Sequence, residues 1–433
     1  MEQARFRINV TLNPLYWLCQ ALFQVGIRVY FRTIRAKSLR TLPKNKPVLL
    51  AINHTNAFLD SSVLHILMRR NVYSLARGDV FKNPVANYFL RIFHILPIFR
   101  LREGMEHLPK NNESFRLSME VLEQADQPLI IYPEGDCVQE YAIRPFRKGM
   151  ARIAFLLEEK HNFESGLEIV PVSLFYSRLS RWGGALEVKV GKPIKVSQYH
   201  EAWQHDKARA LNALTRDCEA ALRHTAVHLP DAQDQALLSL WYEAMGSTAT
   251  GQPVAHWLKK LENDQEQHTR KDHLEALRAY HHILNLKGLR HPQVLQPVPL
   301  GQWAFSGLLA LLGAAPGLLG WLFFYLPFQW PAKKARALCA SVEFVASVTV
   351  GLCSFVMAGW LVAAALLMST FLGGLSFWAY LALLFVWGAF TLSWGLVARR
   401  WYRLSRWLWL TRNRPEEART VLELQRKARG TWL

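Results

Sequence analysis

The sequence has few acidic residues and no cysteine pair at the spacing of metal ligands. Its 433 residues include 33 Asp and Glu against 52 Lys and Arg, a formal net charge of +19. The five cysteines are scattered, which is typical of reduced thiols rather than of a disulfide framework or a zinc site. No Gly-rich phosphate loop and no Arg/Gly-rich tail is present, which argues against nucleotide and nucleic-acid binding. The first ten residues also lack the charged-then-apolar pattern of a signal peptide.

Charge is entirely missing from two long stretches, residues 303–332 and 344–397. Both exceed the ~20 apolar residues that a membrane-spanning helix requires. The chain is nevertheless basic, so we expect a basic soluble part joined to an apolar membrane part. A basic surface attracts lipid headgroups or phosphorylated metabolites, and we expect membrane lipids, not nucleic acid, as partners.

Composition divides the chain into five zones. They are an interfacial membrane helix within 1–39 (or an ordinary core helix at 14–31), an α/β catalytic domain at 40–196, a helical accessory region at 197–300, a membrane region at 301–398 and a basic cytoplasmic tail at 399–433. In the α/β zone, apolar runs alternate with helix-like segments, which predicts a mixed, largely parallel sheet flanked by helices. The predicted strands are residues 48–52, 72–76, 129–132, 168–172 and 186–190.

The membrane region is predicted to contain a re-entrant hairpin at 303–331, broken at Pro316, and two spans at 342–369 and 372–398. Basic residues prefer the cytoplasmic side of a membrane. The hairpin places the basic loop at 333–336 on the same side as the Arg-rich chain that follows the second span. We therefore expect an integral membrane protein whose catalytic domain lies on the cytoplasmic face.

The octet NHTNAFLD at 53–60 follows an apolar strand and carries a histidine and an aspartate. An imidazole takes a proton from a hydroxyl at neutral pH, and a carboxylate fixes its tautomer, so His54 is the candidate base and Asp60 its partner. On one continuous helix the two side chains would point to different faces. The segment must therefore turn first, with Asn53, Thr55 and Asn56 as capping residues. The alternative is a capping loop whose histidine is merely solvated.

A second strand ends on IYPEGD at 131–136, and the cations Arg144, Arg147 and Lys148 follow it. Two strand-end clusters with cations behind the second indicate chemistry on an anionic substrate. Cys137 lies beside this cluster, but no second histidine accompanies it, so a structural role is expected. The remaining histidines have no carboxylate or cysteine at ligand spacing, and no metal site is predicted.

Four segments together resemble the glycerolipid acyltransferase superfamily, which includes glycerol-3-phosphate and lysophosphatidate acyltransferases. They are NHTNAFLD, ILPIFRLR at 95–102, YPEG at 132–135 and IVPV at 169–172, and the resemblance covers about 40–195. Five residues separate the histidine from the aspartate where the commonest version has four. This longer form, with RPFRKG at 144–149, resembles the fungal-type glycerol-3-phosphate branch. The third block departs from the family, because Asp-Cys-Val at 136–138 replaces the usual Thr-Arg-Ser and removes a phosphate-contacting arginine.

The resemblance implies that His54, oriented by Asp60, deprotonates the hydroxyl of an acyl acceptor. The hydroxyl oxygen then attacks acyl-CoA or acyl-carrier protein, which are co-substrates, with no covalent enzyme intermediate and no permanently bound cofactor. Arg100 or Arg102 holds the acceptor phosphate, and Glu134 with Gly135 positions the acceptor. The expected substrate-binding set is Asn53, Arg100, Arg102, Glu134, Gly135, Arg144, Arg147 and Lys148.

Three hypotheses follow. The first is a membrane-bound acyltransferase that acylates glycerol-3-phosphate or dihydroxyacetone phosphate in phospholipid synthesis. The second is an acyltransferase for 1-acylglycerol-3-phosphate or another lysophospholipid. The third is an inactive lipid-binding membrane scaffold that keeps the fold.

Overall fold

The computed structural model describes residues 14–68, 71–99, 108–125, 127–179, 181–245, 267–289, 299–339 and 341–429. Its strands are β1 (Phe31–Arg35), β2 (Val48–Ile52), β3 (Tyr73–Arg77), β4 (Ile95–Ile98), β5 (Leu129–Ile131), β6 (Glu168–Tyr176), β7 (Gly184–Val190) and β8 (Ile194–Lys195).

The helices are α1 (Pro14–Tyr30), α2 (Ala57–Leu67), α3 (Pro84–Ile92), α4 (Leu108–Glu123), α5 (Gly149–Lys160), α6 (His200–His205), α7 (Lys207–Thr225), α8 (Ala232–Met245), α9 (Gln267–Leu286), α10 (Leu300–Leu312), α11 (Ala314–Leu338), α12 (Val342–Phe371), α13 (Phe377–Asn413) and α14 (Pro415–Arg429).

The strands form one sheet in the order β1-β7-β6-β2-β5-β3-β4, and β8 pairs with β6. β2 lies parallel between β5 and β6, and β3 pairs in parallel with β4 and β5. Only the pairings of β6 with β7 and with β8 are antiparallel among the described strands. The prediction of a mixed, largely parallel sheet flanked by helices is confirmed. β2 has the predicted ends, whereas β6 continues beyond its predicted end to Tyr176. β1 lies in the zone that was predicted to contain only a membrane helix.

Both faces of the sheet are buried, which explains why β2 reads VLLAI without alternation. Leu49 and Ala51 face a core that α4, α5 and α7 complete. Leu50 and Ile52 face the opposite core, to which α1, α2 and the first turns of α12 contribute. The α/β domain and an apolar helix of the membrane region therefore share one hydrophobic core.

The helices α8, α9 and α14 form a further cluster with the end of α13. Residues 399–433 are predicted to be a basic cytoplasmic tail, and the described part of this segment is helical. Residues 399–413 continue α13 and 415–429 form α14, which packs on α9. The second span is predicted to end at 398, and α13 continues as a helix beyond that residue because no helix-breaking residue occurs between Gly395 and Pro415.

Two described helices, α12 and α13, are long and apolar enough to cross a membrane. This indicates that the protein associates with a membrane.

The helices α10 and α11 form a pair that is bent by 63°. The break lies at Gly313 and not at Pro316, because a proline is tolerated in the first turn of a helix, where its missing N–H has no acceptor to lose. Whether the bent pair is a hairpin stays a prediction.

Candidate active site

The structure brings His54 and Asp60 together. The imidazole Nδ1 lies 2.9 Å from Asp60 Oδ2. The aspartate side chain is fully buried, while that of the histidine is 16% exposed. A carboxylate only accepts hydrogen bonds, so Nδ1 carries the proton and Nε2 has the free lone pair. A partly exposed imidazole in this tautomer can remove a proton from a molecule that reaches the edge of the sheet.

The turn that the spacing required is present. Helix α2 begins after His54, so the ring precedes the helix while Asp60 lies in its first turn. Asp60 Oδ2 also accepts the backbone N–H groups of Thr55 and Asn56, each at 2.9 Å. The capping prediction is wrong in detail, because Asn56 stands at the N-cap but its side chain makes no capping bond. The carboxylate of Asp60 replaces it by reaching back over the turn.

Asn53 pairs with β6, and its contact with the substrate stays a prediction. Its amide donates to Leu174 O at 2.9 Å and accepts from Leu174 N at 2.8 Å. The residue is buried. These two bonds continue the pairing of β2 with β6 past the end of β2, which holds the loop of His54 in place.

Two tyrosines complete the surroundings of the dyad and were missed from the sequence. Tyr176 donates its hydroxyl to Asp60 Oδ1 at 2.7 Å. Tyr132 stacks on the His54 ring at 3.8 Å between centroids, and its hydroxyl lies 2.6 Å from Ser61 Oγ. The YPEG motif marked Tyr132, but nothing local to Tyr176 indicated this contact.

Glu134 joins the loops of the site through both oxygens of its buried carboxylate, and its role in acceptor binding stays a prediction. One carboxylate oxygen accepts from the backbone N–H of His54 at 3.2 Å, and the other accepts from the Arg144 backbone at 3.0 Å and its Nε at 3.2 Å. Burial raises the pKa of Glu134, and the bonds from Arg144 and His54 oppose that rise. The carboxylate therefore joins the end of β2 to the loop that precedes α5.

The predicted cations differ in what they contact. Arg144 is tied to Glu134 and to the carbonyl of Asp136, whereas Arg147 and Lys148 are exposed. Gly135 has a φ of +80°, which favours glycine, and a Cβ there would lie 3.1 Å from Arg147 Cγ.

Arg100 and Arg102 lie outside the described residues.

Cys137 acts as an acceptor and not as a nucleophile. Its Sγ receives the backbone N–H of Ala57 at 3.1 Å. Burial and the nearby Asp60 raise the pKa of the thiol to about 12, so it stays protonated at neutral pH. Elsewhere in the described part of the chain, no group of three or more histidine, cysteine or acidic side chains is placed to hold a metal ion.

Comparison with known proteins gives one family. Residues 33–174 match the family described as Acyltransferase. No curated protein matches the chain significantly in sequence. A solved structure, the crystal structure of the 1-acyl-sn-glycerophosphate (LPA) acyltransferase, PlsC, from Thermotoga maritima, is similar over 48% of this chain and 79% of that chain, with 16% identity and a TM-score of 0.32.

The matched segment contains the dyad, the Glu134 clamp and all strands of the sheet from β2 to β5. It ends within β6, at the residue that Asn53 pairs with. The α/β part of this chain is therefore similar to the acyltransferase family over residues 33–174.

Proposed function

We propose that this protein is a membrane-bound O-acyltransferase that moves a fatty acyl group from a thioester donor to a hydroxyl of a glycerol-phosphate acceptor. The observation that carries the proposal is the 2.9 Å contact of His54 Nδ1 with buried Asp60, inside the segment that matches the acyltransferase family. The donor is acyl-CoA or acyl-carrier protein, and neither requires a resident cofactor.

In the proposed reaction, Nε2 of His54 removes the proton of the acceptor hydroxyl as its oxygen attacks the thioester carbonyl carbon. Asp60 stabilises the resulting imidazolium and keeps Nδ1–H in place. The carbon–sulfur bond then breaks, and the imidazolium returns the proton to the leaving thiolate. One ester forms, one thioester is lost, and the enzyme ends in its starting protonation state.

We infer glycerol-3-phosphate or dihydroxyacetone phosphate as the acceptor. The five residues between His54 and Asp60 and the segment RPFRKG support this branch by resemblance. The experiment is an acceptor panel: purified protein in nanodiscs receives labelled acyl-CoA with glycerol-3-phosphate, dihydroxyacetone phosphate or lysophosphatidate. The highest kcat/KM is expected for one of the first two, and a preference for lysophosphatidate contradicts the inference. If no acceptor is acylated from acyl-CoA or from acyl-carrier protein, the hypothesis of an inactive lipid-binding scaffold is favoured over that of an enzyme.

Arg147→Ala is expected to raise KM for the phosphate-bearing acceptor about tenfold, with kcat within about twofold of wild type, because a lost charge-assisted contact weakens binding without touching the base. Arg147 is exposed beside Gly135, at the rim of the site. Acceptor-saturation curves measure the effect. Arg152→Ala on the exposed side of α5 is the matched control and should leave KM unchanged. Equal KM values for Arg147→Ala and wild type would show that Arg147 does not bind the acceptor.

A lysophospholipid acceptor is the second candidate, and the position of α12 favours it. Gln139 follows the YPEGD cluster, and its amide donates to Asn56 Oδ1 at 2.8 Å and to Val342 O at 3.3 Å. The first turn of an apolar helix is thus next to the catalytic loop. An acceptor that resides in the bilayer could reach His54 along this helix, and the acceptor panel separates the two candidates.

We propose that the catalytic domain lies on the cytoplasmic face. The support is the positive residues at the end of α11 and in the second half of α13, which favour the cytoplasm. Lys334→Cys, in an exposed position, is expected to resist membrane-impermeant thiol reagents in intact cells and to react after permeabilisation. Wild type, with its own five cysteines, is the control. Labelling from outside in intact cells contradicts this orientation.

A further inference from the structure

A serine of an apolar helix reaches into the catalytic loop. Ser347 lies in the second turn of α12 and is buried. Its hydroxyl accepts the backbone N–H of Leu59 at 2.9 Å and donates to the carbonyl of Asn56 at 3.0 Å. Leu59 and Ser347 are 288 residues apart in the chain, so this contact exists only when α12 is docked on the α/β domain.

The first turn of α2 is held by groups outside the helix in addition to its own backbone bond, from Leu59 N to Asn56 O at 2.9 Å. The first N–H groups of a helix have no acceptor within the helix. The N-cap residue Asn56 does not supply one with its side chain, and Ala57 has a φ of +41°, an unfavourable value for a residue other than glycine. Outside groups therefore add to the support of the turn, with Cys137 Sγ accepting from Ala57 N and Ser347 Oγ accepting from Leu59 N.

The residues that Ser347 holds are those that set the dyad. Asn56, whose carbonyl receives the serine hydroxyl, donates its own N–H to Asp60 Oδ2 at 2.9 Å. The same oxygen accepts from His54 Nδ1. A shift of Asn56 therefore moves a donor of the carboxylate that orients the base. Phe344, one turn earlier on α12, packs near Phe58 with centroids 6.0 Å apart, which adds a second contact to the same turn.

We propose that Ser347 is a positioning residue, through which the membrane helix α12 sets the geometry of His54 and Asp60. This inference rests on the proposed acyl transfer. Ser347 does not touch the reacting atoms; it acts through Asn56 and Asp60. The consequence is that full activity requires α12 to be docked on the catalytic domain as well as embedded in lipid.

The test compares Ser347→Ala, Ser347→Thr and Ser354→Ala in nanodiscs. Ser347→Ala is expected to lower kcat about tenfold with KM for donor and acceptor unchanged, since one buried hydrogen bond is lost and no substrate contact is. Ser347→Thr keeps the hydroxyl and should restore most of kcat. Ser354 is the matched control, because it lies two turns further on the same helix, is buried against α1 and has no hydrogen-bond partner among the described residues. A kcat of Ser347→Ala equal to that of Ser354→Ala overturns the proposal.

A double-mutant cycle with Asp60→Asn separates positioning from general packing. If Ser347 acts through Asp60, then Ser347→Ala costs little once Asp60 is already replaced. An equal fold loss in both backgrounds overturns the proposal, because it assigns Ser347 a role independent of the dyad.

Hydrogen exchange tests the contact without catalysis. In Ser347→Ala the amides of residues 53–60 are expected to exchange faster than in wild type, and Ser354→Ala should leave them unchanged. Unchanged exchange in Ser347→Ala overturns the positioning role even if the enzyme is active. Absence of acyl transfer by wild type would instead contradict the proposed function. The amide exchange rates would still show whether Ser347 stabilises the loop.

Discussion

His54→Ala is expected to lower kcat for acyl transfer by about 10²–10⁴-fold, because the reaction loses its general base. The imidazole is 16% exposed and lies at a strand end, so its removal leaves both cores of the sheet intact. We therefore expect a folded protein with near-normal thermal stability. Steady-state rates with labelled acyl-CoA in nanodiscs measure the first effect, and thermal unfolding in the same preparation measures the second.

His161→Ala is the matched control for the base. His161 also lies beside a carboxylate, with Nε2 3.0 Å from Glu123 Oε1, but it is an exposed residue at the end of α5. Its replacement should leave kcat unchanged. If His54→Ala retained more than a tenth of wild-type kcat, the assignment of His54 as base would be wrong.

Asp60→Asn is expected to lower kcat by about 10³–10⁴-fold, since an amide does not hold the imidazole in the tautomer that frees Nε2. In the structure the carboxylate is an acceptor for every group around it, including the Tyr176 hydroxyl. The amide has an NH₂ group, which is a donor, in place of one acceptor oxygen of the carboxylate. That NH₂ group would face a neighbouring group that is itself a donor. We also expect a loss of about 1–3 kcal/mol in the free energy of unfolding, because a buried bond is left unmade.

The control for this second prediction is Asp217→Asn on α7. Asp217 accepts a tyrosine hydroxyl, that of Tyr199, at 2.7 Å, as Asp60 accepts that of Tyr176. Its replacement should affect stability at most and leave kcat near the wild-type value. Equal kcat for Asp60→Asn and wild type would show that the carboxylate does not orient the base.

The local sequence pattern was sufficient to predict the central strand of the sheet and the pairing of His54 with Asp60. The run VLLAI is apolar at every position, which is typical of a strand buried on both faces, and it forms β2 with the predicted ends. The His and Asp of the octet were recognised because the polar residues after the strand require a turn. The structure supplies that turn and the 2.9 Å contact.

Long-range partners lay beyond the reach of sequence pattern. Tyr176 is 116 residues from Asp60, and no feature near it indicated which carboxylate its hydroxyl would meet. Glu134 was correctly placed after β5, but the direction of its side chain depends on the backbone N–H groups of His54 and Arg144, which only the folded loops bring near. A motif therefore located the carboxylate without revealing that it clamps the loops.

In the membrane region, composition predicted which segments are apolar helices but not where they break or end. Hydropathy cannot separate a proline in a first helical turn, as at Pro316, from one that interrupts a helix. Nor does the loss of hydropathy after residue 398 end α13, because a helix can leave the apolar layer and continue in water to Asn413.

The fate of a labelled acyl group shows whether His54 acts as the base of a direct acyl transfer. Wild-type protein in nanodiscs is mixed with acyl-CoA carrying a labelled acyl chain, and glycerol-3-phosphate is then added, with a parallel reaction on His54→Ala. We expect labelled acylglycerol phosphate from wild type alone and no label on the protein before the acceptor arrives. Label bound covalently to the protein, or equal product from His54→Ala, would contradict a direct transfer in which His54 is the base.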